Sequence, residues 1–244
     1  MSKITLDIAE NFAMKLRSTL QLSLTEPINV KTVLRLLDVI TAYRPLSDTL
    51  YGLSLKSADG RSRFMLVNSN STRGRQHFTV AHELYHLYFD ENPQPHFCKE
   101  GQLDESEKAA NMFARAFLIP RAGVMKAIPD DVLATGQMSL TTVLNLESLF
   151  GVSHMAMLIR LKELKLITSS IFEKYQAVRV TYEASLRGLT TDLYQKGNEG
   201  LIIGDFGAKA RELFEKDIIS EGHYVELLNK IGYGIEEGEN SVGC

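Results

Sequence analysis

The chain carries the sequence FTVAHELYH at residues 78–86, inside a segment whose apolar residues recur at helical spacing. His82 and His86 are four residues apart, so on a helix their imidazoles lie on one face and can bind the same ion. Neutral imidazole is a good ligand for zinc. Glu83 comes directly after the first histidine and can reach a zinc-bound water, whose pKa the metal lowers. The motif H-E-x-x-H therefore predicts metal-assisted hydrolysis, usually of a peptide bond.

A second helix, predicted from about residue 104 to residue 118, offers the third ligand. Glu107 would complete a site of two histidines and one glutamate, with a fourth position left for water. Helix geometry favours Glu107 over Glu105, and Glu100 and His96 are further competitors. Asn111 lies one turn after Glu107, so we expect it to hydrogen-bond the far nitrogen of a ligand histidine and to fix the orientation of that ring.

The remaining elements predict an α+β fold with two parts. Segments rich in β-branched and aromatic residues alternate with turn residues over 38–68, which predicts a small antiparallel sheet with a hairpin turn at residues 58–60. Two linked helices are expected at 141–150 and 153–164. After residue 168 the composition becomes more polar while helical patterns continue. We therefore predict one domain over residues 1–168 and a helical C-terminal extension over residues 169–244.

Composition and charge exclude several classes of protein. The net charge of −3 argues against a dominant basic surface for nucleic acid. No apolar run approaches the ~20 residues of a membrane-spanning helix, and the first residues lack the pattern of a secretory signal. We therefore expect no contact with a membrane. Two cysteines, Cys98 and Cys244, cannot form a disulfide framework, so the cytoplasm is the expected compartment.

Two separated motifs resemble the ImmA/IrrE family of zinc metallopeptidases. They are RQHFTVAHELYHLYF at residues 75–89 and EKAANMFARAFLIP at residues 107–120, and they agree with the family pattern in order and spacing. The resemblance extends over about residues 25–168, with conservative departures at Phe117 and Ile119. It implies a zincin-like metallopeptidase domain in which Zn²⁺ is bound by His82, His86 and Glu107, with Glu83 as the general base.

The resemblance also implies a protein substrate. Members of the family are bacterial or phage-encoded and often paired with a helix-turn-helix repressor or antitoxin. Some are implicated in cleaving that partner during mobile-element induction or stress responses. We therefore expect a metalloendopeptidase, a hydrolase, that acts on a cognate helix-turn-helix repressor or antitoxin and does not itself contact nucleic acid.

Two other functions remain as alternatives. Residues 141–164 have the helix, turn and helix outline of a DNA-binding regulator, but Arg160 and Lys162 are the main cations that the second helix offers to phosphates. The chain could also be a binding module that keeps zinc without turnover, which the intact Glu83 argues against.

Two questions about the site stay open at this point. A peptidase needs a group that stabilises the oxyanion, and none of the candidates has decisive spacing; they are Tyr85, Tyr88, His154 and Arg160. Cys98 lies between the two predicted helices of the site. Its thiolate is a further candidate for the open position on zinc.

Overall fold

The computed structural model describes residues 4–90, 96–99 and 104–230 of the chain. Within these ranges it has twelve α-helices, five strands and one short 3-10 helix at Asp192–Tyr194. The helices are α1 (Leu6–Thr19), α2 (Val30–Leu36), α3 (Arg73–Tyr88), α4 (Glu105–Leu118), α5 (Arg121–Ala127), α6 (Asp130–Thr135), α7 (Leu140–Phe150), α8 (His154–Glu163), α9 (Ser169–Gln176), α10 (Val180–Leu186), α11 (Phe206–Glu215) and α12 (Glu221–Lys230). The strands are β1 (Val39–Arg44), β2 (Leu50–Lys56), β3 (Arg63–Asn68), β4 (His96–Lys99) and β5 (Ile202–Ile203).

The fold is mixed α+β, as the sequence predicts, with one five-stranded sheet in the order β4-β2-β3-β1-β5. The expected hairpin is present, since β2 and β3 pair antiparallel on either side of a turn at Gly60, where φ is +70°. The sheet is mostly but not wholly antiparallel, because β1 runs parallel to β3 along its other edge. Alternation predicts each strand, but it does not determine the edge of the hairpin that β1 joins.

The core lies between the sheet and the helices that cover it. Helix α3 packs against β2 and β3 and also against α4, which in turn packs against α1. The fully buried apolar side chains of this core include Leu34, Tyr43, Met65, Leu84, Phe113 and Phe117. Because the sheet covers one side of α3 and helices cover the other, the helix that carries H-E-x-x-H is buried over most of its length.

Glycine at position 52 lets α3 lie close to the sheet. A Cβ atom at Gly52 would lie 2.7 Å from Thr79 Cγ2 and 2.9 Å from the carbonyl oxygen of Leu66, which is closer than real Cβ contacts allow. The same Cβ would lie 3.8 Å from Glu83 Oε1. The middle of α3 therefore approaches β2 at a point where the strand has no side chain.

Residues after position 168 form helices and also contribute to the sheet. β5 pairs antiparallel with β1 through Thr41 and Ala42. The side chain of Gln76, at the beginning of α3, donates to the carbonyl oxygen of Gly197 and accepts from Asn198 Nδ2. The division of the chain at residue 168 stays a prediction. Hydrogen bonds join residues on either side of that division, both in the sheet and at Gln76.

Among the described residues, no single helix is long and apolar enough to cross a membrane. Helices α7 and α8 reach that length and hydropathy only as a pair, and they are bent by 108° at the break between them.

Candidate metal centre

Helix α3 brings His82 and His86 together, as their spacing predicts. Their side chains are almost completely buried, and the two Nε2 atoms lie 3.3 Å apart. Both imidazoles therefore present a nitrogen to the same small volume.

Glu107 reaches this volume from the first turn of α4. The side chain of Asp104 caps α4 by accepting from the backbone N–H of Glu107, 3.0 Å away. The Glu107 carboxylate lies 3.4 Å from His82 Nε2 through Oε2 and 3.6 Å from His86 Nε2 through Oε1. One donor atom from each of these three residues lies within 4.8 Å of the others, which is a spacing suited to one metal ion.

Three other residues were candidates for the third ligand position, namely Glu105, Glu100 and His96. The Glu105 side chain is 56% exposed and pairs with Lys108 Nζ at 2.7 Å, so it points away from the buried histidines. Glu100 and the side chain of His96 lie outside the described residues. In the part of the chain that the structure describes, Glu107 is the acidic residue that joins both histidines.

The outer nitrogens of the two histidines also have partners. His82 Nδ1 lies 3.2 Å from Asn111 Oδ1, the contact that the sequence predicts. His86 Nδ1 lies 3.0 Å from Asp90 Oδ2, which also accepts from Ser106 Oγ at 2.8 Å. Asp90 is not among the residues predicted for the site, although its position four residues after His86 places it one helical turn away.

Glu83 lies between the sheet and the metal donors. Its Oε2 accepts a hydrogen bond of 2.6 Å from Ser54 Oγ on β2, and both side chains are buried. Ser54 is not among the residues predicted for the site either. Strand alternation could have suggested only that Ser54 and Gly52 share one face of β2.

The surroundings of His82 favour positive charge. Burial by itself lowers the pKa of His82, but hydrogen bonds with Cys98 and Glu107, together with the charges of Cys98 and Glu83, raise the pKa well above its ordinary value. Donor atoms of Cys98 and Glu83 lie within 4.8 Å of His82 and of each other, so the thiol considered in the sequence analysis does approach the site. Two imidazoles and a carboxylate, with donor atoms this close together, fit a divalent metal.

Four residues were candidates for stabilising the oxyanion, namely Tyr85, Tyr88, His154 and Arg160, and the structure shows what each of them contacts. The Tyr85 ring packs edge-on against His86, with ring centroids 5.5 Å apart, and burial raises the pKa of Tyr85 to about 12. The Tyr88 hydroxyl donates to the carbonyl oxygen of Leu37. His154 hydrogen-bonds the Glu147 carboxylate and the carbonyl oxygen of Tyr175. Arg160 donates to the carbonyl oxygen of Ile119 and forms an ion pair with Glu10. Of the four, Tyr85 is the candidate whose ring contacts a predicted ligand.

Helix α8 is a core helix and does not present a basic surface. Arg160 is fully buried, donates to the carbonyl oxygen of Ile119 at 2.9 Å and pairs with Glu10 at 2.7 Å. Lys162 Nζ lies over the ring of Phe172, 4.8 Å from its centroid. Of the two cations on which the DNA-binding alternative relies, Arg160 is therefore not available to phosphates.

A known family model covers the part of the chain that contains this site. The model of the IrrE N-terminal-like domain matches residues 39–162, from the beginning of β1 almost to the end of α8. No curated protein matches the chain. The matched range contains the two histidines, Glu83, Glu107 and Asn111. The matched family is the one that the motifs at 75–89 and 107–120 resemble. The chain therefore belongs to the Peptidase_M78 family of IrrE N-terminal-like domains, which implies a metallopeptidase with a metal cofactor.

Proposed function

We propose that the protein is a zinc-dependent metalloendopeptidase with a zincin-like domain. The observation that carries the proposal is the convergence of His82, His86 and Glu107 donor atoms within 4.8 Å, with Glu83 beside His82. Two imidazoles and one carboxylate suit zinc better than magnesium or calcium, which prefer oxygen ligands alone. Three protein ligands leave a position for substrate or water, as a catalytic site requires.

Each residue then has a defined part in peptide hydrolysis. The metal, when bound, would polarise the scissile carbonyl and lower the pKa of the attacking water. Glu83 takes a proton from that water as the new C–O bond forms. Glu83 then returns the proton to the amine nitrogen as the C–N bond breaks. Asn111 and Asp90 accept from the Nδ1 atoms of the histidines and so direct both Nε2 lone pairs towards the metal.

Metal analysis with matched variants tests these roles. We expect the wild-type protein to hold about one zinc per chain and Glu107→Gln to hold much less, since an amide is a poorer ligand than a carboxylate. Glu83→Gln is expected to keep the metal and lose cleavage. Glu105→Gln is the control, because Glu105 lies on the same turn as Glu107 but points to solvent. Full zinc content in Glu107→Gln would remove Glu107 from the ligand set, and cleavage by Glu83→Gln would remove the general base.

We further propose that the substrate is a helix-turn-helix repressor or antitoxin in the cytoplasm. The support is the family to which the chain belongs, together with the acidic net charge and the burial of Arg160, which leave DNA contacts to the partner. The test is incubation of the zinc-loaded protein with a helix-turn-helix protein from an adjacent reading frame. Cleavage at one site, absent in Glu83→Gln, is the expected result. An intact partner alongside cleavage of an unrelated unfolded protein would argue for a different substrate.

A further inference from the structure

Ser54 contacts the side chain that the proposed mechanism uses as its base. Ser54 Oγ donates to Glu83 Oε2 across 2.6 Å, and the two residues are 2% and 0% exposed. A hydroxyl donating to a carboxylate at this distance forms a strong, charge-assisted hydrogen bond. The bond joins the middle of β2 to the middle of α3, two elements that pack against each other.

The hydroxyl restricts a flexible side chain. Glutamate has three rotatable bonds, and its carboxylate oxygens can exchange places by rotation of the last one. A donor fixed to the sheet that holds Oε2 also determines where Oε1 lies. Ser54 has one hydrogen to donate, so it can hold one of the two oxygens at a time.

Gly52 makes room for the same contact. Gly52 and Ser54 are two residues apart and therefore lie on one face of β2. The missing side chain at Gly52 lets Thr79 and Glu83 approach the strand, and the hydroxyl at Ser54 then meets the carboxylate. The strand thus provides both the space and the donor that Glu83 requires.

We infer that Ser54 is a positioning residue for the general base: its hydroxyl holds Oε2 of Glu83 so that the carboxylate faces the reacting water. This inference rests on the proposed peptidase function. The hydrogen bond of Ser54 goes to Glu83 Oε2, so we expect its loss to act on the base and to leave the affinity for metal unchanged.

The experiment uses the full chain loaded with zinc and a probe that does not depend on turnover. Acetohydroxamate chelates a metal and shares a proton with the carboxylate beside it, so its affinity reports the placement of Glu83. For Ser54→Ala we expect one zinc per chain as in wild type, a dissociation constant for acetohydroxamate raised about tenfold, and a kcat lowered about tenfold with little change in KM. Ser54→Thr keeps the hydroxyl and should restore both values.

Ser57→Ala is the matched control. Ser57 Oγ also donates to a carboxylate at 2.6 Å, that of Asp59, but in the exposed turn after β2. If Ser54→Ala behaves like Ser57→Ala in both probe affinity and kcat, the positioning role is wrong. If Ser54→Ala does not fold, a comparison of Ser54→Thr with Ser54→Cys, a weaker donor of similar size, decides the same question. A wild-type protein that binds neither zinc nor the probe overturns the proposed function and the inference with it.

Discussion

Asp90 and Asn111 determine which nitrogen of each histidine is available. Both present an oxygen acceptor to Nδ1, Asp90 to His86 at 3.0 Å and Asn111 to His82 at 3.2 Å. A neutral imidazole that donates from Nδ1 has its lone pair on Nε2, the atom that faces Glu107 in both residues. The two side chains therefore select the tautomer that a metal ligand requires.

Removing the charge of Asp90 should weaken metal binding without preventing folding. In Asp90→Asn the amide oxygen still accepts from His86, but the carboxylate no longer raises the basicity of the ring. We expect zinc affinity to fall about tenfold, measured by competition with a chromophoric chelator. Asp59→Asn, in the exposed turn between β2 and β3, is the control. Equal affinities in the two variants would show that Asp90 does not act on the metal centre.

At the level of residues, helix periodicity accounts for most of the site. His82 with His86, and Glu107 with Asn111, are each four residues apart, so one helical turn brings each pair together. The choice of Glu107 as third ligand came from the ligand requirement of zinc and from helix geometry, and the family resemblance implied the same residue; periodicity does not show that α3 packs against α4. Ser54 could not be found in this way, because its contact with Glu83 depends on how a strand packs against a helix 29 positions further along the chain.

The contact between α3 and β2 limits which side chains the strand can carry. Thr79 and the backbone of Leu66 leave no room for a Cβ at Gly52. The helix and the strand must therefore separate if that position gains a side chain, and Glu83 moves away from Ser54 when they do.

Gly52→Ala is expected to destabilise the protein and to reduce activity together. Overpacking of a well-packed core costs typically about 1–3 kcal/mol, and urea denaturation measures this loss. Gly222→Ala in α12 is the control, because a Cβ there meets no atom within 4 Å. A Gly52→Ala protein as stable as Gly222→Ala and fully active would mean that α3 does not need this close approach.

The local sequence predicts the individual strands of the sheet but not the order in which they pair. Each strand in the region 38–68 is predicted by its own residues, and the hairpin by the turn at Gly60. The parallel pairing of β1 with β3 and the contribution of β5 depend on which sheet edges remain open once the hairpin has formed. No local pattern near β1 indicates a partner as distant in sequence as Ile203.

A buried network connects the family domain with the residues that follow it. Glu147 on α7 accepts from His154 Nδ1 at 2.6 Å and from the Tyr194 hydroxyl at 2.8 Å. His154 Nε2 lies 2.9 Å from the carbonyl oxygen of Tyr175 on α9. Because a carboxylate and a carbonyl both accept, His154 donates from both nitrogens and is protonated. Burial lowers its pKa, but the hydrogen bond and the charge of Glu147 outweigh burial and raise the pKa above its ordinary value.

This network should make stability fall as the pH rises. Unfolded His154 loses its proton near pH 6.5, whereas the folded residue keeps it to higher pH, so the folded state binds more protons above that value. The contribution of His154 is complete below pH 6.5 and is lost as the pH passes the raised pKa. Urea denaturation of wild type and His154→Gln at several pH values measures it. We expect the difference in stability to shrink with rising pH, and a constant difference would contradict a protonated His154.

The pairing of β5 with β1 has a consequence for synthesis of the chain. All proposed ligands of the metal lie before residue 112, but Ile202 and Ile203, which cover the outer edge of β1, emerge from the ribosome much later. Until then the nascent chain has an open strand edge, and such edges pair readily with other chains. A fragment that ends at residue 168 would keep this edge permanently. We therefore expect such a fragment to aggregate more readily than the full chain, in which β5 pairs with β1.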